Sequence, residues 1–464
     1  MISRRRSLVL VLAAIAVTLA ACGSSSNNAS TATTTAAPSN FPVSTTLGQG
    51  ITAKTIKLGV SLIDFTCVRA ASPVVRENTD KIYGAFINDV NAKGGINGRK
   101  IVPDFQAACP IGQPQQAQCT KFTEDDKVFA VIGNIYDPTG AAQTCIAKKG
   151  NTPLLSFELS DAIIDKSPPG MVIFAGNSPE RVAGVLMELA KQHHILDGKT
   201  VGILAEQGSL RTVKESIEPG LKAMAGQGVK MGTTGIISVG SNLDTTAAQA
   251  QLDSFIEKWK TEGVNAIVIS GEAMASQQFV EKLRAQLPGA LLLADNAQIK
   301  SYGQAELQAG VKPNPYDGII TAGGPTSTEY DASENWAYCS KIYQEQTGQK
   351  APDATTVLKT PDGKILDTYG AINDACQLVT LFHDIMVKVG QYPNGPNWQY
   401  VADHYGPITN RGGGPYASLT KGKYDIDDSF RLESFDSTIS NGDFKPITPI
   451  QNITGTGATS SSSG

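Results

Sequence analysis

The sequence predicts an α/β protein built as two similar lobes, and three observations carry that expectation. From Thr55 onward, short apolar runs alternate with amphipathic stretches of helical period, the pattern of parallel strands covered on both faces by helices. This rhythm occurs as two successive series, which fits two lobes better than one very wide sheet. The clearest return from helix to strand, IYGAFINDVNAKGGINGRKI at residues 82–101, is written as a double glycine turn.

In that stretch Ile82, Ala85, Phe86 and Val90 recur at spacings of three and four, forming one apolar stripe that must pack on a sheet. Lys93-Gly94-Gly95 ends the helix where glycine takes the left-handed cap at little steric cost, and Asn97-Gly98 turns again before a strand at 99–105. The first series has further strands at 56–62, 129–132, 153–156 and 171–174. Ser178 as N-cap and Pro179 at the first helical position then open a helix. The second series has strands at 201–205, 236–239, 266–270 and 290–294, with helices at 210–225, 245–262 and 275–286 between them. A strand at 318–322 and helices near 333–346 and 367–389 return the chain to the first lobe, and a late strand lies within DSFRLESF at 428–435.

The 464 residues suffice for two or three domains, and the net charge of −4 with a pI near 5.7 offers no basic field for nucleic acid. Arg4-Arg5-Arg6 followed by the apolar run 8–21 reads as a signal peptide over residues 1–21, too short and asymmetric for a spanning helix. Sec export is the default, and Ser3-Arg4-Arg5-Arg6 leaves a twin-arginine route open. Residues 22–50 are rich in Ser, Thr, Ala and Asn and read as a flexible tether; the tail 455–464 has the same character. Leu19-Ala20-Ala21-Cys22-Gly23 resembles the lipobox of bacterial lipoproteins, which implies cleavage before Cys22 and acylation of its sulfur. Such an anchor places the chain on the extracytoplasmic face of the cell membrane.

Six further cysteines remain, Cys67, Cys109, Cys119, Cys145, Cys339 and Cys376, an even set that suits an oxidising compartment and three disulfides. Cys339 and Cys376 lie on late helices and make a plausible pair, which leaves the four early ones to pair among themselves. No CxxC occurs, and His193, His194, His383 and His404 have no ligand-spaced partner, so no metal or cofactor is expected.

As a word, the apolar helix followed by GGINGRKI resembles the first helix and second strand of the type I periplasmic-binding fold. That fold belongs to the substrate-binding lipoproteins of ABC transporters, including the branched-chain amino-acid (Leu/Ile/Val) receptor family. The resemblance runs from about residue 55 to 450. It implies two Rossmann-like lobes with parallel sheets joined by a three-segment hinge: 55–174 and 324–395 in lobe 1, 175–323 and 396–450 in lobe 2. Crossings fall near 174–177, 322–325 and 393–398. It also implies a monomer that closes on a small ligand and docks on an ABC permease, with a membrane contact through the lipid only.

Open parallel sheets place ligands beyond the carboxyl ends of their strands, so the loops there supply the candidates. In AVIGNIYDPT the family grips the ligand carboxylate with a hydroxyl and backbone amides; aligning Gly133 puts Asp137 at the hydroxyl position, with Thr139 beside it. A carboxylate there would repel a ligand carboxylate; the competing reading makes Asp137 the N-cap of a helix over 139–149. In LSFELSD, Ser160 falls where the family has a ligand-binding threonine, Leu159 where it offers backbone groups, and Glu158 could meet a cation. Across the cleft, Gln207 and Leu210 stand in a loop where the family often has an aromatic residue, and Glu272 falls at another such position. Asp295 fits the family's carboxylate for the ligand ammonium, with helix capping as its rival; Asp64 and Phe65 are additional candidates. An acidic cleft with little aromatic lining favours a polar or cationic, hydroxyl- or amine-bearing ligand.

Catalysis finds no team of residues: GxSxG, Walker A and HExxH motifs are absent, Arg411-Gly412-Gly413-Gly414 follows no clear strand, and His193-His194 sits at a helix end. The expected function is capture of a small amino-acid-like solute for import, with surface sensing through a partner receptor as the alternative and an enzyme on the same fold as the remotest.

Overall fold

The computed structural model describes residues 41–455 apart from 71, 73, 111–113, 138, 158, 239–245 and 296–297. Residues 1–40, with the expected signal peptide, Cys22 and most of the tether, lie outside the described residues, as does the tail from 456.

Lobe 1 is a five-stranded parallel sheet of β1 (Thr55–Ile63), β2 (Lys100–Ala108), β3 (Ala130–Gly133), β4 (Leu154–Ser156) and β5 (Val172–Phe174), in the order β2-β1-β3-β4-β5. Every residue of β3, β4 and β5 is buried, as parallel strands covered on both faces require. Lobe 2 is built on β6 (Thr200–Glu206), β7 (Lys230–Ile237), β8 (Ala266–Ser270), β9 (Leu291–Ala294), β10 (Ile320–Gly323), β11 (Ser429–Asp436) and β12 (Asp443–Pro446). They are ordered β12-β11-β10-β9-β8-β6-β7, with β13 (Gln451–Asn452) beside β11. Only β11, β12 and β13 pair antiparallel. The first lobe has a core around Phe86, Phe122 and Trp398; the second has one on each sheet face, around Leu186 and Trp259 respectively.

The glycine turn forms as read. Helix α1 (Thr79–Ala92) buries Ile82, Ala85 and Phe86, and Ile96 and Arg99 exchange backbone hydrogen bonds of 2.8 and 2.9 Å across the second turn. Gly95 has φ +75°, and a Cβ there would lie 2.0 Å from the Arg99 carbonyl oxygen. Only glycine fits this close return.

Further helices used below are α2 (Ala141–Lys149), α3 (Asp161–Lys166), α4 (Pro179–Gln192), α5 (Gln298–Gln308), α6 (Glu334–Thr347), α7 (Thr368–Val389) and α8 (Gly395–His404). Ser178 caps α4 by accepting from the Arg181 amide at 3.2 Å. The chain crosses between lobes after β5 and again after β10. The third crossing departs from expectation. Trp398 of α8 is fully buried in the lobe 1 core, its ring 6.2 Å from both Phe129 and Phe382, and its Nε1 donates to the Gly170 carbonyl at 2.9 Å. The Phe174 amide donates to the Tyr424 carbonyl at 2.7 Å and the Ile426 amide to Phe174 at 3.0 Å, so 424–426 still runs beside β5. The crossing therefore falls between Ile426 and Ser429, not at 393–398, because Trp398 and its neighbours have their apolar partners in lobe 1.

Residues 41–50, placed in the tether from composition, dock on α8: the Gly48 amide donates to Pro393 at 2.7 Å, Ser44 to Asn397 Oδ1 at 3.0 Å, and Phe41 stacks 5.0 Å from Tyr400. Cys339 and Cys376 join α6 to α7, and the early cysteines pair as Cys67–Cys109 and Cys119–Cys145. A hairpin of Leu358–Lys359 and Ile365–Leu366 adds to Val74–Val75, and its approach, at Thr355, accepts from Asn441 Nδ2 of lobe 2 at 3.1 Å. Among the described residues no helix is long and apolar enough to cross a membrane.

Candidate ligand cleft

The loops at the carboxyl ends of β3 in lobe 1 and β8 in lobe 2 face each other between the lobes. Tyr136, after β3, donates from its hydroxyl to Glu272 Oε2, after β8, at 3.4 Å. Arg211 of lobe 2 pairs with Asp165 of α3 at 2.5 Å, and the Asp161 amide approaches Glu180 Oε2 of α4 at 3.4 Å. Two glycines make the walls possible. Gly133 has φ +115° and a Cβ would lie 2.1 Å from the Ser61 carbonyl oxygen; Gly271 has φ +96° and a Cβ would lie 2.3 Å from Glu206 Cγ.

Asp137 is occupied by its own loop. Its Oδ1 accepts from the Thr139 amide at 2.9 Å and the Thr139 hydroxyl at 2.6 Å, and Oδ2 accepts from the Ala142 amide at 2.8 Å, at the start of α2. Burial works to raise its pKa, but the Thr139 hydroxyl and the amides of Ala142, Thr139 and Ala141 together hold it below the ordinary value. Thr139, though exposed, is likewise engaged by its own loop, its Oγ1 also accepting from the Ala141 amide at 3.2 Å. Asp137 thus binds the first turn of α2 from three residues before its N-cap, which is Gly140 and not Asp137 itself. Asp64 is itself the N-cap of the Phe65–Cys67 turn, accepting from the Thr66 amide at 2.9 Å.

Glu158 lies outside the described residues. The Leu159 side chain is buried in the lobe 1 core. Ser160 stands as N-cap of α3 with extended backbone, yet its hydroxyl makes no capping bond. Gln207 is exposed at the mouth of the loop after β6, and half-buried Leu210 starts the next short helix.

Lobe 2 supplies most of the acidic groups. Asp295 is 2 % exposed; Ser270 donates to its Oδ2 and the Gly271 amide to its Oδ1 at 3.2 Å, so it braces the end of β8. Burial, joined by the charges of Glu206 and Glu180, pushes its pKa up to about 7 against those hydrogen bonds. Glu272 retains solvent-facing surface, but the cleft walls around it push its pKa up, opposed by the Tyr136 hydroxyl.

Four residues at the cleft were absent from the sequence candidates: Tyr136, Glu206, Glu180 and Asp161. Burial raises the pKa of Glu206, against the Ala273 amide donating at 3.1 Å and with the Glu272 charge adding. Burial and then Glu180 push Asp161 to about 7, and burial raises Glu180 itself. Glu206 was findable as the last residue of a strand. Glu180 was not, since an acidic residue in a first helical turn already has a reason to be there. The five raised carboxyls share one feature, too little positive charge: Arg211 acts on Asp161 and Glu180 but is itself engaged by Asp165 and by Glu215 at 2.9 Å.

Two α/β lobes joined by three crossings, with strand ends converging on a shared cleft, define a type I periplasmic-binding architecture. The sequence matches the family described as periplasmic binding protein over residues 83–358, more than half of the chain, and the protein belongs to that family. Among solved structures it is similar to a solute-binding protein of an ABC transporter from Rhodopseudomonas palustris in complex with 3,4-dihydroxybenzoic acid. That match has 13 % identity and TM-score 0.58, covering 87 % of this chain and 98 % of that one. It is also similar to a fatty acid ABC transporter substrate-binding protein from Thermomonospora curvata, at 15 % identity and TM-score 0.58 over 89 % and 96 % of the two chains. A third is the branched-chain amino acid transporter substrate-binding protein of Streptococcus pneumoniae in complex with isoleucine, at 14 % identity and TM-score 0.54 over 86 % and 99 %. At these identities the likeness concerns the fold alone. No curated protein matches the chain.

Proposed function

We propose that this protein captures a small cationic or amine- and hydroxyl-bearing solute between its lobes and delivers it to an ABC permease, without chemical turnover. The observation that carries the reading is the uncompensated acidity of the cleft: Asp161, Glu180, Glu206, Glu272 and Asp295 all have raised pKa values with burial as the leading cause. A bound cation would supply the missing partner and hold the lobes together across the Tyr136–Glu272 contact, shifting an open–closed equilibrium toward a form the permease recognises. The isoleucine, fatty-acid and benzoate relatives show how varied the solutes of this fold are, so fold likeness does not select among them. A lipid on Cys22 would keep the globule at the outer face of the cell membrane; Cys22→Ser is expected to release the protein from the membrane fraction, and retention there would count against the anchor.

The test is a thermal-shift screen of the purified protein against polyamines, basic amino acids, amino alcohols, neutral amino acids and sugars. A solute at a hundred times its dissociation constant stabilises by about 2.7 kcal/mol. Stabilisation by a cationic solute that weakens in Glu272→Gln supports the reading, whereas tight binding of leucine or valine sinks the proposed specificity.

A further inference from the structure

We propose that lobe 1 carries a second small-molecule site, outside the interlobe cleft, that takes small organic carboxylates. A concave space of about 880 Å³ lies between α1, the end of α6 and the segment that leads from α6 into the 358–366 hairpin. Its size falls in the range of roughly 300–1,000 Å³ typical of small-ligand pockets, and it shares no residue with the cleft described above.

The floor is low because α1 presents small residues there. A Cβ added at Gly84 would meet nothing within 4 Å, so that position faces open space rather than a neighbouring element. Glycine inside a helix costs roughly 0.5–1 kcal/mol relative to alanine, and no steric demand at Gly84 explains it. Carbon for an apolar ligand body comes from Ile82, Tyr343, Ala351, Pro352, Leu358 and Leu366.

The walls are fixed in advance. Tyr343 donates from its hydroxyl to Gln349 Oε1 at 2.8 Å, the Ala354 amide donates to Asp331 Oδ2 at 2.9 Å, and the hairpin is paired to Val74–Val75. Charge then selects the ligand head. Two lysines line the space, Lys81 and Lys350, and neither has an ion pair among the described residues. Of the two carboxylates at the same rim, Glu77 is paired with Arg69 at 3.0 Å, while Asp353 keeps its charge, its Oδ1 accepting from the hydroxyls of Thr355 at 2.8 Å and Thr356 at 2.7 Å, so two lysines stand against one uncompensated carboxylate. A carboxylate head between the lysines with its hydrocarbon body over Gly84 fits both the charge and the shape.

The probes are hexanoate and benzoate, with hexylamine as the cationic counterpart, measured by calorimetry and ligand-observed NMR on the purified full chain. Saturable binding of either carboxylate is expected, weakened at least about tenfold by Lys81→Glu with Lys350→Glu and by Gly84→Leu, and unchanged by Glu272→Gln. Hexylamine is expected to show no response to the first two variants. The lysine pair is exposed, so its double variant tests the site even where Gly84→Leu disturbs folding. Absence of saturable carboxylate binding, or binding that survives the lysine reversals, overturns the proposal.

Discussion

Arg181 offers the sharpest test of how the lobes are joined. It stands in the first turn of α4, 3 % exposed, and reaches into the third crossing: Nη1 pairs with Asp425 at 2.9 Å, Nη2 with Asp428 at 2.6 Å, and Nη2 also donates to the Ile453 carbonyl at 2.8 Å. Lys423 lies 3.1 Å from Asp428, so two cations face these two carboxylates in a nearly dry space, with the pKa of Asp427 beside them pushed up to about 6 by burial. Arg181→Met keeps much of the packing over Phe430, whose ring centroid is 5.3 Å away, but removes one of the two cations that face these carboxylates. Stranding a buried charge costs on the order of 3–5 kcal/mol. The lower end is expected here, because Asp428 keeps Lys423 and the Ser418 hydroxyl at 2.5 Å, and Asp425 bears most of the loss. Arg181→Met with Asp425→Asn restores one cation to one carboxylate and should recover about half of the deficit. The wild-type network already leaves Arg181 Nε and Asp425 Oδ2 without hydrogen-bond partners among the described residues, which argues that neutralising both ends forfeits little. Urea unfolding followed by circular dichroism measures both steps. A single-variant loss below about 1 kcal/mol, or a double variant no more stable than the single, would refute the reasoning.

Gly133→Ala places a Cβ against the Ser61 carbonyl at φ +115° and is expected to cost roughly 1–3 kcal/mol in melting experiments, where a neutral result would contradict the strained turn. Asp295 has its folded pKa raised to about 7 from an ordinary carboxylate value, so its contribution is fully present below the ordinary value and is lost as pH rises through about 7. Asp295→Asn should therefore narrow the fall in melting temperature between pH 5 and pH 8, as seen by calorimetry; an unchanged pH profile would show that Asp295 is not the source. Replacing Cys339 and Cys376 by alanine opens a cross-link spanning 37 residues between two buried helix faces and should cost about 2–5 kcal/mol in urea, read against wild type without reductant.

The features that sequence carried well are those whose cause is local. The stripe Ile82, Ala85, Phe86 and the turn through Gly95 contain both the apolar face and its stop signal within twenty letters, and Ser178-Pro179 announces α4 in the same way. The third crossing was misplaced for the opposite reason. An amphipathic helix around Trp398 reads the same whichever lobe it packs on, and its partners Phe129 and Phe382 are settled only by the assembled sheet. Docking of residues 41–50 was invisible for a similar reason, because a polar segment with hydrogen bonds to Asn394 and Asn397 has the composition of a free tether.

Asp137 shows why position in a family alignment and role in a site separate. Read as a letter at the hydroxyl position, it sets a carboxylate against the carboxylate of an amino acid and makes the lobe 1 loop repulsive. In place, both oxygens accept from Thr139 and Ala142, so its charge is compensated by the start of α2 and faces its own backbone. The uncompensated negative charge lies elsewhere in the cleft. At the cleft, the carboxyls with raised pKa values are Glu206, Glu272 and Asp295 at the strand ends of lobe 2, with Glu180 of α4 and Asp161 of α3 at the side. Lobe 1 answers with the Tyr136 hydroxyl and with Ser160, whose side chain caps nothing. A solute bridging these walls would turn its positive end to lobe 2 and a hydroxyl or neutral polar end to lobe 1. Substitutions on the lobe 2 side should then change charge selectivity, and those at Tyr136 or Ser160 should change affinity while leaving the preferred sign of charge in place.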